Sequence, residues 1–297
     1  MSLYTACPLC GSGNISLHIQ TNDFFLTAEP FSLFRCRDCS FIFTQEHPAE
    51  SAAGRYYASD QYLSHNDSAK GITSFLYRLS RDFMLGRKQK IIEKHTGLKS
   101  GSLLDIGCGT GHLLNKMKRK GWNVRGIEIN RNAADYATKK FGLEIIDPKN
   151  ISSLPSAGFD CITLWHVLEH FEDPSAYFSE ISRMLKAGGT SITALPNCNS
   201  FDAGHYRKFW AAWDVPRHLW HFSPYTFQIF ARKSGFELIK VRSLPLDVFY
   251  ISILSEKYRG SRLHFLTGAI MGKWFWIRSM FDLKRSSSLV YILRKKA

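Results

Sequence analysis

The amino-acid sequence predicts an α/β protein: a doubly wound, mostly parallel sheet of seven strands, preceded by a small zinc ribbon. Two observations predict this architecture. From about residue 102 onwards, short apolar segments alternate with helix-length amphipathic segments, as they do in parallel sheets covered by helices on both faces. Before them, the first 45 residues contain two C-x-x-C pairs. Such pairs are typical of a metal-binding module.

The composition favours a packed protein that binds anionic partners. Of the 297 residues, 44% are hydrophobic and 22% are charged, which excludes global disorder and suits one medium-sized catalytic domain plus an accessory module. Lysine and arginine total 39 against 25 aspartate and glutamate, a formal net charge of +14. The positive electrostatic potential that this charge produces attracts nucleic acid, acidic lipid headgroups or phosphorylated substrates.

No segment of the sequence has the pattern of a secretory signal or a membrane span. Residues 1–10 lack the basic start and the apolar run of a signal peptide, and no uninterrupted apolar stretch reaches about 18 residues. We therefore expect a cytoplasmic protein whose seven cysteines are reduced.

The N-terminal cysteines predict a zinc ribbon at residues 1–45. The pairs are Cys7-Pro-Leu-Cys10 and Cys36-Arg-Asp-Cys39, and each C-x-x-C turn aims two thiolates at one point. Four such sulfurs can surround Zn²⁺ in a closed tetrahedron, which predicts a structural rather than a catalytic metal. Two unrelated reduced pairs, or a redox dithiol, are the alternatives.

The rest of the chain supplies the elements of the sheet in order. A helix at about 71–95 leads into the domain. Strands are predicted at 102–106, 122–128, 143–146, 159–164, 190–195, 236–243 and 288–294, the last of them antiparallel. Helices are predicted near 111–120, 131–141, 173–186 and 223–234. This order gives a parallel sheet with helices on both faces.

A glycine-rich loop joins the first strand of the sheet to the helix that follows it. The segment Leu103-Leu104-Asp105-Ile106-Gly107-Cys108-Gly109-Thr110-Gly111 has glycines in the spacing G-x-G-x-G. Glycines let the backbone turn sharply and approach a ligand, and the amides at the start of the helix can face the polar groups of that ligand. The second strand ends in Glu128, whose carboxylate can accept both hydroxyls of a ribose.

These residues resemble motif I of the class I S-adenosylmethionine-dependent methyltransferases, and Glu128 matches the ribose-binding acid of that family. The segments 150–155, 159–164 and 185–189 resemble its adenine-contacting loop, its fourth strand and the turn before its fifth strand. The resemblance covers about residues 70–297 and implies a Rossmann-like methyltransferase fold. It implies S-adenosylmethionine as the cofactor, held by Asp105, Gly107, Gly109, Gly111, Glu128, Asn150 and Ile151. Asn150 stands where the family often has Asp. A nicotinamide oxidoreductase is the alternative.

Two groups of enzymes within this family have sequence motifs similar to those of this chain. One is the ubiquinone-type O-methyltransferases, and the other is the sugar-methylating enzymes in which a four-cysteine zinc domain precedes the fold. The second group resembles the chain more, because it also accounts for residues 1–45 and for Tyr56-Tyr57. It implies a helical linker and cofactor lid at 46–100, followed by the methyltransferase domain at 101–297.

The first of two histidine-bearing segments, His166-Val-Leu-Glu169-His170, follows the fourth strand. Its three polar side chains share one face if the segment is helical. They can form a divalent-cation site, because the similar O-methyltransferases place acids and a histidine here. The alternative is a structural helix start, which we favour because His166 replaces an acid of that pattern.

The second histidine-bearing segment, at 214–221, follows the fifth strand, where class I methyltransferases often admit substrate. If it lines the acceptor pocket, His218 or His221 is the general base of methyl transfer, and Arg217 holds an anionic group of the acceptor. The alternative is a packed loop whose histidines are hydrogen-bonded.

The stretch at about 246–285 is expected to be an insertion before the last strand. Residues 246–297 hold ten Lys and Arg against three Asp and Glu, and Lys273, Trp274 and Trp276 stand close together. This composition is typical of a helix that lies in a membrane interface, so peripheral membrane contact is expected here. A lid helix that packs its aromatic side chains on the core is one alternative, and an RNA-binding surface is another.

We therefore predict S-adenosylmethionine-dependent methyl transfer to a small-molecule acceptor, with an anionic sugar nucleotide or a lipid-linked metabolite as the leading classes. RNA methylation is one alternative. A non-catalytic, cofactor-binding scaffold that docks a partner through the ribbon is another. Nucleic acid is the less favoured partner, because charge is the only RNA-binding signal in the sequence.

Overall fold

The computed structural model describes residues 3–49, 54–56 and 72–296, which contain eleven strands and eight α-helices. The strands are β1 (Ile15–Asn22), β2 (Pro30–Cys36), β3 (Ile42–Gln45), β4 (Ser102–Ile106), β5 (Asn123–Ile127), β6 (Glu144–Ile146), β7 (Phe159–Trp165), β8 (Leu185–Pro196), β9 (Trp220–His221), β10 (Phe236–Ser243) and β11 (Ser288–Lys295). The helices are α1 (Ile72–Thr96), α2 (His112–Lys118), α3 (Arg131–Phe141), α4 (Pro174–Met184), α5 (Phe201–Tyr206), α6 (Pro224–Lys233), α7 (Asp247–Tyr258) and α8 (His264–Phe281).

Seven of the strands form one sheet in the order β10-β11-β8-β7-β4-β5-β6. Strand β4 is parallel to β5 and β7, and β7 is parallel to β8, whereas β11 is antiparallel to both β8 and β10. The predicted doubly wound, mostly parallel sheet is therefore confirmed, with its last strand antiparallel. Because the carboxyl ends of β4, β5, β6 and β7 meet at one edge, the loops that follow these strands share one side of the domain.

Each face of this sheet buries its own apolar core. Successive residues of a strand point to opposite faces, so Leu103 belongs to one core and Leu104 to the other. Helices α1, α2 and α3 pack on one face through side chains such as Ile92 and Leu114. Helices α4 and α6 pack on the other. The alternation of strands and helices in the sequence thus produces a three-layer domain.

The N-terminal module, residues 3–49, shares a sheet and a core with the main domain, residues 72–296. Strands β1, β2 and β3 are antiparallel, and β9 of the main domain adds a fourth strand, with Phe43 paired to Trp220. Cys36 and Phe43 lie in the same buried cluster as the apolar face of α6. The module is therefore packed directly against the domain.

A buried ion pair also joins the module to the domain. Arg217 Nη2 lies 2.8 Å from Oδ1 of Asp23, in the turn between β1 and β2, and 2.6 Å from Oδ1 of Asp214. The side chains of Arg217 and Asp23 are only 1% and 0% exposed. Since an unpaired charge would be costly at this depth, the pair strongly favours one placement of the module.

The expected insertion between β10 and β11 is a hairpin of two helices, α7 and α8. The helices approach closely, because a Cβ atom on Gly268 would lie 2.4 Å from Cα of Ile253, and one on Gly272 would lie 2.9 Å from Cα of Phe249. Glycine is therefore required at both contact positions of α8. Within the described ranges, no helix is both long and apolar enough to cross a bilayer.

Candidate active site

The glycine-rich loop lies at the carboxyl end of β4. Gly107, Gly109 and Gly111 have φ angles of 71°, 54° and 74°, in the region that favours glycine. A Cβ atom on Gly107 would lie 2.4 Å from Cγ2 of Val167, so the loop also contacts the turn after β7. At Gly109, by contrast, no described atom lies within 4 Å of the position that a Cβ would take. The middle of the loop is therefore open to a ligand.

Glu128 follows the adjacent strand β5 and is fixed against this loop. Its Oε2 accepts the Gly109 N–H at 2.7 Å, and its Oε1 accepts the Asn130 N–H at 2.8 Å. Each carboxylate oxygen has a further lone pair, so the group can still accept the two hydroxyls of a ribose. The structure thus brings the predicted ribose-binding acid next to the predicted glycine loop.

Asn150 and Ile151 lie on the short 3₁₀ segment Pro148–Ser153, which follows β6 at the same edge of the sheet. Asn150 is exposed, and its carbonyl oxygen accepts the Ser153 hydroxyl at 2.7 Å, whereas Ile151 is half-buried. All seven residues expected to hold the cofactor therefore lie at the carboxyl edge of β4, β5 and β6. Their contacts with the cofactor stay a prediction.

Asp105 and Lys88 lie near each other at this edge of the sheet, close enough for their charges to interact. Asp105 is 3% exposed and accepts the Thr163 hydroxyl at 2.5 Å. Burial raises the pKa of Asp105 to about 6, although the Thr163 hydroxyl and the Lys88 ammonium oppose this rise. Lys88 reaches the edge from α1, with its Nζ 4.4 Å from the ring centroid of Trp165. Sequence reasoning missed Lys88, because only the packing of α1 brings it here.

His166 is held between two carboxylates beside the loop. It follows β7 with a positive φ of 59°, a strained conformation that is common at functional sites. Its Nε2 lies 2.9 Å from Asp247 Oδ2, and its Nδ1 lies 3.5 Å from Glu169 Oε1. Burial favours the neutral ring, but these two partners outweigh it and raise the pKa of His166 to about 9. The side chain is 33% exposed, so a substrate can reach it.

Glu169 also belongs to a second cluster, with His170 and His218. One ligand atom of each of these residues lies within 4.8 Å of the others. The Nδ1 atoms of His170 and His218 lie 3.0 Å and 2.9 Å from the backbone carbonyl oxygens of Arg217 and Ala212. The cation site considered for His166, Glu169 and His170 thus has His218 as its third member, because His166 turns towards Asp247.

The predicted bases, His218 and His221, are both buried and hydrogen-bonded. His221 lies on β9, with its Nε2 3.0 Å from the hydroxyl of Thr44 in the N-terminal module, and burial lowers the pKa of His221 well below its usual range. His218 is 9% exposed, and its Nε2 lies 3.9 Å from Asp214 Oδ2. Arg217 is engaged in the buried ion pair. A role as base stays a prediction for both histidines, and the packed-loop alternative accounts for these contacts.

The four predicted zinc ligands converge in the N-terminal module. The Sγ atoms of Cys7 and Cys39 are 3.5 Å apart, those of Cys10 and Cys36 are 3.6 Å apart, and all four lie within 4.8 Å of one another. Four sulfurs bound at about 2.3 Å to a tetrahedral zinc are about 3.8 Å apart. The cluster therefore has the size and the donor set of a structural zinc site.

Only part of the predicted cofactor lid is described. Tyr56 lies on the 3₁₀ turn Gly54–Tyr56, is 1% exposed and packs edge-on against Phe31 of the N-terminal module. Its carbonyl oxygen accepts from Arg217 Nη1 at 3.1 Å. Tyr57 lies outside the described residues. Closure of this segment over the cofactor stays a prediction.

Comparison with known proteins identifies the family of the chain. A family profile described as "Methyltransferase domain" matches residues 78–241, more than half of the sequence. The chain belongs to this methyltransferase family. The predicted identity is therefore confirmed, and the enzyme is an S-adenosylmethionine-dependent methyltransferase of class I fold.

Curated relatives of the methyltransferase include two ubiquinone biosynthesis O-methyltransferases. One, from Cupriavidus pinatubonensis, is 26% identical over 175 residues, which are 54% of this chain and 70% of that protein. The other, from Paraburkholderia phymatum, is 33% identical over 117 residues, which are 37% of this chain and 50% of that protein.

A solved structure supports the fold of the methyltransferase. The geranyl diphosphate C-methyltransferase of Streptomyces coelicolor matches with a TM-score of 0.52 and 16% identity, over 84% of this chain and 90% of that one. At this identity the likeness concerns the architecture alone.

Proposed function

We propose that the enzyme transfers the methyl group of S-adenosylmethionine to a hydroxyl group of a small, lipid-linked acceptor. The position of Asp247 carries this proposal. Asp247 holds His166 at the active edge of the sheet, and it is also the first residue of α7, where the hairpin begins. Helix α7 therefore connects His166 with the hairpin, whose second helix exposes Trp274, Trp276 and Phe281. The curated relatives, named O-methyltransferases, favour a hydroxyl as the acceptor.

When bound, S-adenosylmethionine supplies a methyl group that its sulfonium already activates, so the protein mainly has to align the acceptor and remove a proton. In the neutral ring the Nε2–H of His166 donates to Asp247, and Nδ1, which lies 3.5 Å from Glu169 Oε1, takes the proton of the acceptor hydroxyl. The glycine loop and Glu128 would hold S-adenosylmethionine, whose methyl carbon would pass to the acceptor oxygen while the electrons of the carbon–sulfur bond would stay on sulfur. Asp247 and Glu169 stabilise the resulting imidazolium.

Transfer of labelled methyl groups tests the acceptor class. Cell extracts are incubated with the enzyme and methyl-labelled S-adenosylmethionine, and then divided into lipid, nucleotide and RNA fractions. We expect the label in the lipid fraction. His166→Gln should slow its appearance by about 10²–10⁴, the usual contribution of a general base. His205→Gln, at an exposed histidine of α5, serves as the matched control and should transfer at the wild-type rate. Label confined to sugar nucleotides or to RNA contradicts the proposal.

We also propose that Cys7, Cys10, Cys36 and Cys39 hold one structural zinc ion. Their separations support this, and four thiolates leave no open coordination position for catalysis. The zinc would fix the two C-x-x-C turns and, through β2 and β3, the sheet that β9 completes. Metal analysis of the purified protein should give one zinc per chain.

A further inference from the structure

Helix α8 and the residues that flank it carry a group of exposed large apolar side chains, which we call the α8 face. Nine of the eighteen exposed large apolar side chains among the described residues belong to it. They are Leu263, Phe265, Leu266, Ile270, Trp274, Trp276, Met280, Phe281 and Leu283. Exposure reaches 59% at Ile270, 54% at Trp274 and 88% at Phe281. Grouped apolar exposure of this kind marks an interaction surface, whereas scattered single residues do not.

The α8 face remains open because the helix contacts α7 only along a narrow strip. Gly268, Gly272 and Phe275 are the buried residues of α8. Ile270 and Trp274, four positions apart, share a different side of the helix. With 18 residues, α8 is about 27 Å long at 1.5 Å per residue. A flat partner can therefore contact several turns of the helix at once.

Basic residues lie near the α8 face, and two of the three acids of the hairpin segment are withdrawn from it. Asp247 is bound to His166 in the active site, and Glu256 is buried, 3.6 Å from a nitrogen of Arg259. The third acid, Asp282, is exposed between Phe281 and Leu283, and its carboxylate accepts the Lys284 N–H at 3.2 Å. The exposed basic residues nearby are Lys257, Arg259, Arg262, Lys273, Arg278 and Lys284. The surface thus combines large exposed apolar side chains with exposed basic residues close to them.

We propose that the α8 face docks on an anionic lipid bilayer, with α8 lying in the plane of the interface. Tryptophan and aliphatic side chains enter the headgroup region, while lysine and arginine meet the lipid phosphates. A second copy of the chain fits less well, because a symmetric dimer through this face would bring two equal sets of cations together. RNA fits less well, because most of the exposed side chains of the face are large and apolar.

Docking would place the active site close to a lipid-linked substrate. Helix α7 runs from Asp247, beside His166, into the hairpin that carries the α8 face. The inference extends the proposed function, but it can be tested without any acceptor or cofactor. Absence of vesicle binding would leave methyl transfer untouched, and absence of methyl transfer would leave vesicle binding untouched.

Flotation of the full chain with lipid vesicles tests the proposal. One vesicle is phosphatidylcholine alone, and the other contains equal parts of phosphatidylcholine and phosphatidylglycerol. We expect binding to the anionic vesicles, weakening as salt is added. The double substitution Ile270→Ser with Trp274→Ser should lower the partition coefficient at least about tenfold, because it removes two large apolar contacts. Lys273→Gln should lower it about fivefold.

Tyr225→Ser is the matched control, since Tyr225 is 61% exposed on α6, outside the α8 face. It should bind vesicles like the wild type, and cofactor affinity should show that every variant is folded. No binding to either vesicle overturns the proposal, as does unchanged binding by the Ile270 and Trp274 variant. Self-association that this variant abolishes, without vesicle binding by the wild type, would assign the α8 face to a second copy of the chain.

Discussion

At the scale of single residues, carboxylates fix the orientation of the groups at the candidate active site, which lies at the carboxyl ends of β4, β5 and β7. Glu128 accepts two backbone N–H groups, so its orientation is set by the loop that it serves. His166 is fixed from both sides, by Asp247 and by Glu169. Groups that are oriented before a ligand arrives need little reorganisation during the reaction.

The raised pKa of His166 predicts the pH dependence of methyl transfer. At neutral pH the ring is mostly protonated, because Asp247 and Glu169 raise its pKa to about 9. If the neutral ring is the base, kcat increases with pH until it levels off near 9. Asp247→Asn removes the closest charge, so the rise should move down by about 1–3 pH units. The profile of kcat against pH measures this shift.

Asp135→Asn provides the comparison, because Asp135 is an exposed acid of α3. Its profile should match that of the wild type. If Asp247→Asn and the wild type also have the same profile, His166 is not the group whose titration controls the rate.

The sequence was sufficient to find some of these residues and not others. The glycine loop and Glu128 could be predicted because their pattern is local: three glycines at fixed spacing and an acid at the end of the next strand. Lys88 and Asp247 carry no such signal. Lys88 reaches the edge because α1 packs on the sheet, and Asp247 lies 81 positions from His166 along the chain. Contacts between such distant segments depend on the tertiary fold.

At the scale of elements, all seven predicted strands of the main sheet are present, because alternating strand and helix segments are also a local pattern. Strand β9 was not predicted. It has only two residues, Trp220 and His221, and it becomes a strand by pairing with β3. This pairing explains why a segment interpreted as an acceptor loop buries His221 between the module and the domain.

The buried ion pair between the module and the domain predicts a large loss of stability on substitution. Asp23→Asn leaves Arg217 buried with Asp214 as its remaining acidic partner. Removing one member of a buried pair typically costs about 3–5 kcal/mol, and we expect a fall of this size in the free energy of unfolding. Urea denaturation measures it. Glu46→Gln, at an exposed position of the same module, should stay within about 0.5 kcal/mol of the wild type. Equal losses in the two variants would show that the ion pair does not anchor the module.

At the scale of the whole molecule, the cysteine cluster belongs to the core of the enzyme. Its residues lie in the same buried cluster as the apolar faces of α4 and α6. The sequence predicted the ribbon but not this shared core, because C-x-x-C spacing describes a metal site and carries no information about what the site packs against.

Metal removal should therefore destabilise the whole chain. We expect Cys36→Ser, or treatment with a strong chelator, to lower the melting temperature in a single calorimetric transition, because metal binding and folding are coupled. Cys198→Ala, which changes a half-buried cysteine outside the cluster, should retain the metal. Two separate transitions, with the domain melting as in the wild type, would show that the module unfolds independently.

A crystal structure with bound S-adenosylhomocysteine tests the central claim most directly, because it locates the donor sulfur relative to every candidate base. We expect the ribose hydroxyls on Glu128 and the sulfur within about 8 Å of the His166 ring, which leaves room for a methyl group and an acceptor oxygen between them. A sulfur more than about 10 Å from His166, or facing His218 or His221 instead, would contradict His166 as the base.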